Sequence, residues 1–185
     1  LKEAAGLIQD GQQITFGGFT IWRRPMAFVY ELIRQGKRNL HLLEVNGGTH
    51  SEILIGAGCV SIWESCWSGH ELYGKLGEMV ADRHVNGGMI VEDYSHGHMV
   101  ARILAGAYGL PFFPSAQSLG TDLLNPEFDS LGRAGLRDGS HPKIPRKKYG
   151  FAPDPFYDRG ELLLLPAANP DWAIFYASQV GEEGT

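Results

Sequence analysis

Gly17-Gly18-Phe19-Thr20 stands between a β-prone run, Ile14-Thr15-Phe16, and the segment Trp22-Arg23-Arg24-Pro25. Paired glycines have no Cβ, so the backbone can bend sharply and approach a ligand closely. Arg23 and Arg24 beside the bend can meet a carboxylate or a phosphate. Pro25 suits the first turn of a helix, where its missing N–H costs nothing. Strand, glycine loop and helix in that order form the place where open α/β sheets bind ligands. A plain tight turn accounts for the same residues. The run is neither G-x-G-x-x-G nor the Gly-Lys-Ser/Thr of a P-loop, which argues against both kinds of nucleotide site.

Other groups could also do chemistry. Glu92-Asp93-Tyr94-Ser95 offers paired acids for general-base or nucleophilic work. The same residues could instead cap the next helix, since Asp and Ser favour helix starts. Glu44 lies within a strand and reads as a satisfied structural carboxylate. The chain has seven histidines, but they are scattered, and no H-E-x-x-H or Cys/His cluster provides the ligand spacing of a zinc site. No metal is expected. Ser68 and Ser95 lack the G-x-S-x-G elbow of a serine hydrolase. Trp63, Trp67, Phe112 and Phe113 read as core or interface aromatics.

These residues need elements to position them. The pattern predicts a helix over 2–10 ended by Gly11 and a strand over 13–16. A helix follows over 25–35, with Phe28, Val29, Leu32 and Ile33 on one face. Strands are expected at 40–45, 59–63 and 88–92, and helices at 51–55, 72–83 and 98–107. Alternating strands and helices imply a parallel sheet with right-handed crossovers. The fold class is α/β, an open and mostly parallel sheet with helices on both faces. Residues 111–121 read as loop-rich, and 122–159 as a long loop-rich excursion of the functional or mobile kind. Apolar runs at 161–165 and 172–178 read as strands buried on both faces. The loops at 17–20, 46–50, 65–70 and 92–97 would share the carboxyl edge of the sheet and line one pocket.

Composition narrows the function classes. With 185 residues, 43% of them hydrophobic, the chain can bury one core, and a single domain over 1–185 is expected. A net charge of −5 argues against general nucleic-acid binding. The one basic cluster, Lys143, Arg146, Lys147 and Lys148, reads as a solvated loop, with a CoA- or phosphate-facing patch as the alternative. Two cysteines without C-x-x-C fit a reducing compartment. No apolar run approaches the ~18–20 residues needed to span a membrane, and no signal peptide is visible. A cytoplasmic location follows as an expectation. The chain starts without Met and stops just after a strong strand, so it reads as truncated at the C-terminus and part of a longer polypeptide.

The motifs taken in order resemble a known family. Ile14-Thr-Phe-Gly-Gly-Phe-Thr-Ile-Trp-Arg-Arg-Pro-Met-Ala-Phe-Val, followed by Glu31-Leu-Ile-Arg-Gln-Gly36, is similar to the start of family I CoA-transferase α subunits, and most like the glutaconate type. Gly58-Cys-Val60, Val91-Glu-Asp-Tyr-Ser95, Ala107-Tyr-Gly-Leu-Pro-Phe-Phe-Pro114 and Gly120-Thr121 follow in the same order. Pro166-Ala-Ala-Asn-Pro-Asp-Trp-Ala-Ile-Phe-Tyr176 and Ala177-Ser-Gln-Val-Gly-Glu-Glu-Gly-Thr185 complete the set.

The resemblance implies an α subunit that pairs with a β subunit in a heterodimer or heterotetramer. That enzyme moves CoA between an acyl-CoA and a free carboxylic acid, by resemblance a dicarboxylic one. The nucleophilic glutamate would lie on the β subunit, so no catalytic residue is assigned to this chain. Coenzyme A would be a substrate, with no bound cofactor. The expected pocket residues are Gly17, Gly18, Phe19, Thr20, Arg23, Arg24, Asn46, Gly47, Gly48, Ser68, Gly69, Tyr94, Ser95, Gly120 and Thr121. Thr20 stands where the 3-oxoacid branch usually has glycine, which leans toward the glutaconate type. Two other readings remain open. One is a CoA-thioester hydrolase or ring-opening lyase, with Glu92 or Asp93 carrying the chemistry. The other is a non-enzymatic small-molecule binding domain.

Overall fold

Ile14 and Phe16 enter one core, while Gln13, next to Ile14, turns to the opposite side and meets Glu64. A period of two is what an extended chain imposes. The structure, a computed structural model, describes residues 1–69, 78–158 and 160–184. Its elements in chain order are α1 (Lys2–Gly6), β1 (Gln13–Phe16), α2 (Met26–Arg34), β2 (Leu40–Leu43), α3 (Thr49–Gly56), β3 (Val60–Ser65) and α4 (Glu78–Val85). Then come β4 (Ile90–Asp93), α5 (His96–Ala107), β5 (Phe112–Ser115), α6 (Ser130–Arg133), β6 (Gly150–Pro153), β7 (Glu161–Pro166) and β8 (Trp172–Ile174).

Five strands form one parallel sheet in the order β4-β3-β2-β1-β8. On one face Ala5, Ile8, Val29, Leu32, Leu54 and Ile55 from the first three helices and the turn after α1 meet Ile14, Leu42 and Trp63. On the other, α5 and α6 join an antiparallel sheet of order β5-β7-β6. There Met99, Leu163 and Leu165 pack on Leu43, and Leu131 and Ile144 pack on Ile62. The α/β class with helices on both faces is therefore present.

Details depart from expectation. The first helix stops at Gly6, and Gly11 (φ 83°) serves the turn beyond it. Part of the helix expected over 72–83 lies outside the described residues. The final strand ends at Ile174 rather than 178. The run at 161–165 is β7, and it pairs antiparallel with β5 and β6 instead of joining the parallel sheet. Only Leu163 and Leu165 of it are fully buried, so one face is covered, not both. The passage at 111–121 hides β5, whose Pro114 masks it. An edge strand tolerates proline because one side needs no ladder partner. Within 122–159, short 3₁₀ turns at Asp122–Leu124 and Pro126–Phe128, α6 and β6 are folded onto the sheet.

Candidate active site

After β1 the chain turns through Gly18 (φ 99°), Thr20 (φ 44°) and Arg23 (φ 53°). Left-handed backbone at a non-glycine residue costs of order 1–3 kcal/mol, so the surroundings must hold it. Phe19 N–H donates to Trp22 O at 3.1 Å and Trp22 N–H to Phe19 O at 2.7 Å, closing a tight hairpin. Behind it lies Arg24, 7% exposed. Its Nε donates to Thr20 O at 2.8 Å, and Nη1 to Gly17 O at 3.1 Å and Phe16 O at 3.4 Å. Its Nη2 donates to Asn46 O in the loop after β2. None of these partners carries charge. Burial pushes the guanidinium pKa down, and the charge of Glu44 opposes that.

The two loops touch. A Cβ on Gly48 would stand 2.2 Å from Thr20 O, and one on Gly47 would stand 2.6 Å from Trp63 Cζ2 and 2.9 Å from Ser68 Oγ. A Cβ on Gly17 would meet the Phe175 ring at 2.1 Å. Glycine is therefore needed here for close approach as well as for bending. These contacts leave a cleft of about 240 Å³ at the carboxyl ends of β1, β2 and β8. The flanking strands β2 and β8 lie on opposite sides of β1, a topological switch point of the kind where α/β sheets bind ligands. Gly17, Gly18, Phe19, Arg24 and Asn46 line the cleft, as the sequence suggested. Thr15, Phe16, Val45, Ile103, Pro170 and Phe175 complete its wall and were not anticipated. Pro170 and Phe175 flank β8, so only the strand order brings them here. Among the described residues, Arg24 is the one ionisable residue of the lining, and Asn46 Nδ2 is buried without a hydrogen-bond partner.

The acids lie elsewhere. Glu44 is buried, with Oε2 accepting from Trp63 Nε1 at 3.0 Å and Oε1 facing His50. Glu64 accepts from Arg102 Nη1 at 2.7 Å and contacts His41 Nε2 at 2.7 Å. Burial alone would push its carboxyl up, but Arg102 and then His41 hold it well below the usual range. Glu92, held open in the sequence as a catalytic or a structural acid, lies in the interior. It is fully buried, accepts from Leu131 N at 2.8 Å and pairs with Lys148. Its carboxyl is pushed up by burial, against the pull of the Leu131 N–H and Lys148. It fastens α6 to β4. Asp93 is exposed at the end of β4 and borders a second cleft of about 380 Å³ with His84, Asp122, Ser130 and Arg133. Burial also pushes the Asp93 carboxyl up, with Lys148 opposing.

The remaining candidates divide. Thr20, Gly47, Gly48 and Ser68 form the buried layer behind the cleft, and Gly69 is buried next to them in sequence. Arg23 is exposed on the outer side of the turn and is absent from the lining. Its companion Arg24 directs four of its five N–H donors at carbonyls, one of them at 3.4 Å. Tyr94 is a core residue with its ring 4.3 Å from Arg102, not a pocket wall. Ser95 caps α5, its side chain accepting from His98 N at 3.1 Å. Gly120 and Thr121 form an exposed turn, closed by Thr121 Oγ1 on Ser118 O at 2.8 Å, outside both clefts. The basic cluster is half structural. Lys148 is sealed on Glu92, and Lys143 pairs with Asp171 at 2.8 Å. Arg146 and Lys147 stay exposed.

A parallel α/β sheet with a loop-built cleft at its switch point defines the class of protein. The particular family follows from comparison. The coenzyme A transferase profile matches residues 1–185, and the chain belongs to that family. It is 30% identical over 186 residues to the A-type chain of glutaconate CoA-transferase from Acidaminococcus fermentans, covering 100% of this chain and 57% of that protein. It is 28% identical over 188 residues to the A-type chain of 3-oxoadipate CoA-transferase from Pseudomonas knackmussii, covering 100% and 59%. The solved glutaconate coenzyme A-transferase of A. fermentans superposes with a TM-score of 0.86 at 29% identity, over 100% of this chain and 57% of that one. A variant of the decarboxylase AibA/AibB superposes at 0.78 with 28% identity, over 99% and 63%. The chain thus spans somewhat more than half the length of these relatives.

Proposed function

We propose that this chain is the A-type component of a CoA-transferase, moving CoA between an acyl-CoA and a free carboxylic acid with a partner polypeptide. The observation that carries this reading is the chemistry of the cleft at the end of β1. Its lining, among the described residues, holds one cation and one orphaned amide donor but no acid, thiol or hydroxyl nucleophile apart from Thr15. Glu44, Glu64 and Glu92 are all sealed in the interior. Such a cleft can bind and orient an acid, and in the reading proposed here the attacking carboxylate is supplied by a partner polypeptide. Both named relatives are A-type chains of transferases with more than one kind of subunit, which supports a partner. At about 240 Å³ the cleft falls below the ~300–1,000 Å³ of sites for drug-sized ligands. That suits a small acyl group or acid, with most of CoA bound outside it. Exposed Phe19, Trp22, Phe175 and Tyr176 around the cleft suit a surface that a partner covers.

In this scheme the partner's glutamate attacks the thioester carbonyl, giving a mixed anhydride and CoA thiolate. The thiolate then attacks the glutamyl carbonyl and releases the first acid. The acceptor carboxylate attacks the glutamyl-CoA thioester and frees CoA thiolate once more. The thiolate then takes the new acyl group and restores the glutamate. Covalent splitting of the reaction produces ping-pong kinetics. The test is mass spectrometry of the full-length protein co-purified with its partner, after acyl-CoA and then borohydride. A mass change at a partner glutamate is the expected result. Its absence, with steady CoA release into water, overturns the transferase reading.

A second reading is favoured by Asp93, the one acid of the Glu92-Asp93 pair open to a cleft. Hydrolysis or ring opening of a CoA thioester there would be lost in Asp93→Asn and indifferent to any acceptor acid. Acceptor-dependent turnover that survives Asp93→Asn removes it.

A further inference from the structure

We infer that Arg24 is a positioning residue that ties the loop after β1 to the loop after β2, and thereby sets both the shape of the cleft and the positive field inside it. For its activity readout this rests on the transferase reading, but the geometry stands by itself. The loop from Gly17 to Arg23 has only the Phe19–Trp22 bridge within itself and holds two non-glycine residues in left-handed backbone. Something must over-determine that conformation. The Arg24 fork contributes by collecting Phe16 O from the end of β1, Gly17 O and Thr20 O from the loop after it, and Asn46 O from the other loop. A guanidinium presents five N–H donors on three nitrogens in a fixed planar fork, whereas lysine has three donors on one atom and cannot span the same acceptors.

Holding the Asn46 carbonyl also fixes the residue whose Nδ2 is buried without a partner at the cleft wall. Because every acceptor on Arg24 is a neutral carbonyl, its charge is not cancelled by them. A buried charge in a low-dielectric wall acts strongly on an anionic ligand without touching it. The cleft is therefore built for a group with anionic oxygen, with the Asn46 amide as its donor and Arg24 as its field. A purely structural arginine in this chain looks different. Arg102 closes on the Glu64 carboxylate and lines neither of these clefts.

The test uses the full-length protein with its partner, as wild type, Arg24→Lys and Arg24→Ala. Lysine keeps the charge and loses the fork, so it separates the two effects. We expect both variants to lose about 100-fold in kcat, the scale of a misplaced binding wall. KM for the acid should rise in Arg24→Ala and stay near wild type in Arg24→Lys. Added guanidinium ion should restore part of the Arg24→Ala activity. Amide hydrogen exchange should quicken in residues 17–23 and in 46–48 together, while β3 keeps its protection. A lowered Tm with unchanged kcat and KM per folded complex would make Arg24 merely structural. Unchanged exchange at 46–48 would overturn the tie between the loops. If Arg24→Ala fails to fold, Arg24→Lys carries the same exchange measurement. A wild-type complex without CoA exchange would refute the transferase reading, and exchange at 46–48 would still decide the tie.

Discussion

Two buried arginines meet opposite surroundings. Arg102, 1% exposed, lies against the Glu64 carboxylate at 2.7 Å, with Tyr94 beneath it and His41 and Gln13 completing the group. Arg24, 7% exposed, lies against carbonyls at the rim of an open cleft. In the first region opposite charges meet and the network closes on itself. In the second the hydrogen bonds go to neutral carbonyls, and the Glu44 carboxylate acts on the charge without a hydrogen bond to it. A satisfied and neutralised group holds the fold together. One whose counter-charge stands off from it beside a cavity also acts on whatever enters.

The largest test of this contrast is Arg102→Ala. It leaves Glu64 buried without its main counter-charge, and removing one partner of a buried pair costs about 3–5 kcal/mol. Urea unfolding should show that loss. A change no larger than for a surface residue would break the comparison. The same network has a pH signature. Because the Glu64 pKa is depressed in the folded state, its stabilisation is present above the unfolded carboxylate value of about 4.3. It is lost as pH falls from there toward the folded pKa.

Next comes Gly48→Ala. Its Cβ would meet backbone, Thr20 O at 2.2 Å, so the two loops must part, at about 1–3 kcal/mol for overpacking. Calorimetry and CoA-exchange assays of the complex should both register it. Gly17→Ala should cost less, because the atom in its way belongs to the Phe175 ring, a side chain 70% exposed and able to swing aside. Equal losses in the two variants would remove the case for loop-to-loop contact. Ser95→Ala should lower stability by about 1 kcal/mol through the lost cap, visible as a lower Tm.

The smallest effect concerns Glu92. Its folded pKa is raised, so protonation favours the folded state and its contribution to stability falls as pH climbs from about 4.3 through that folded value. In Glu92→Gln this downward component should vanish from a stability profile measured across mildly acidic pH. A profile parallel to wild type would mean that the neighbouring Lys148 and Arg137 dominate instead.

Legibility differed between the regions. Strands at 13–16 and the glycine turn after them were readable because alternation and Gly-Gly are local signals. Gly17, Gly18, Phe19, Arg24 and Asn46 were picked out and do share the cleft. The role of Arg24 was not readable, since its partners are carbonyls, which every residue has. Glu92 looked reactive because its partners Leu131, Arg137 and Lys148 lie far along the chain. Tyr94 looked like a pocket residue because strand ends usually point to the site, yet its ring turns into the second core. Strand β5 was hidden by Pro114, and the apolar run of β7 suggested burial on both faces where only one is covered, because composition carries no information about which neighbours a strand finds.

What the sequence by itself determined is the local grammar: alternating strands and helices, a glycine loop after the first strand, a serine at a helix start, and an ordered motif set that points to the coenzyme A transferase family. Those features depend on backbone sterics and on side-chain spacing within a few residues. Only the tertiary structure decided which charges are neutralised, which strand lies beside β1, and which loops share a wall. These depend on which distant groups come within a few ångströms of one another, where electrostatic and packing energies act and sequence separation has no meaning.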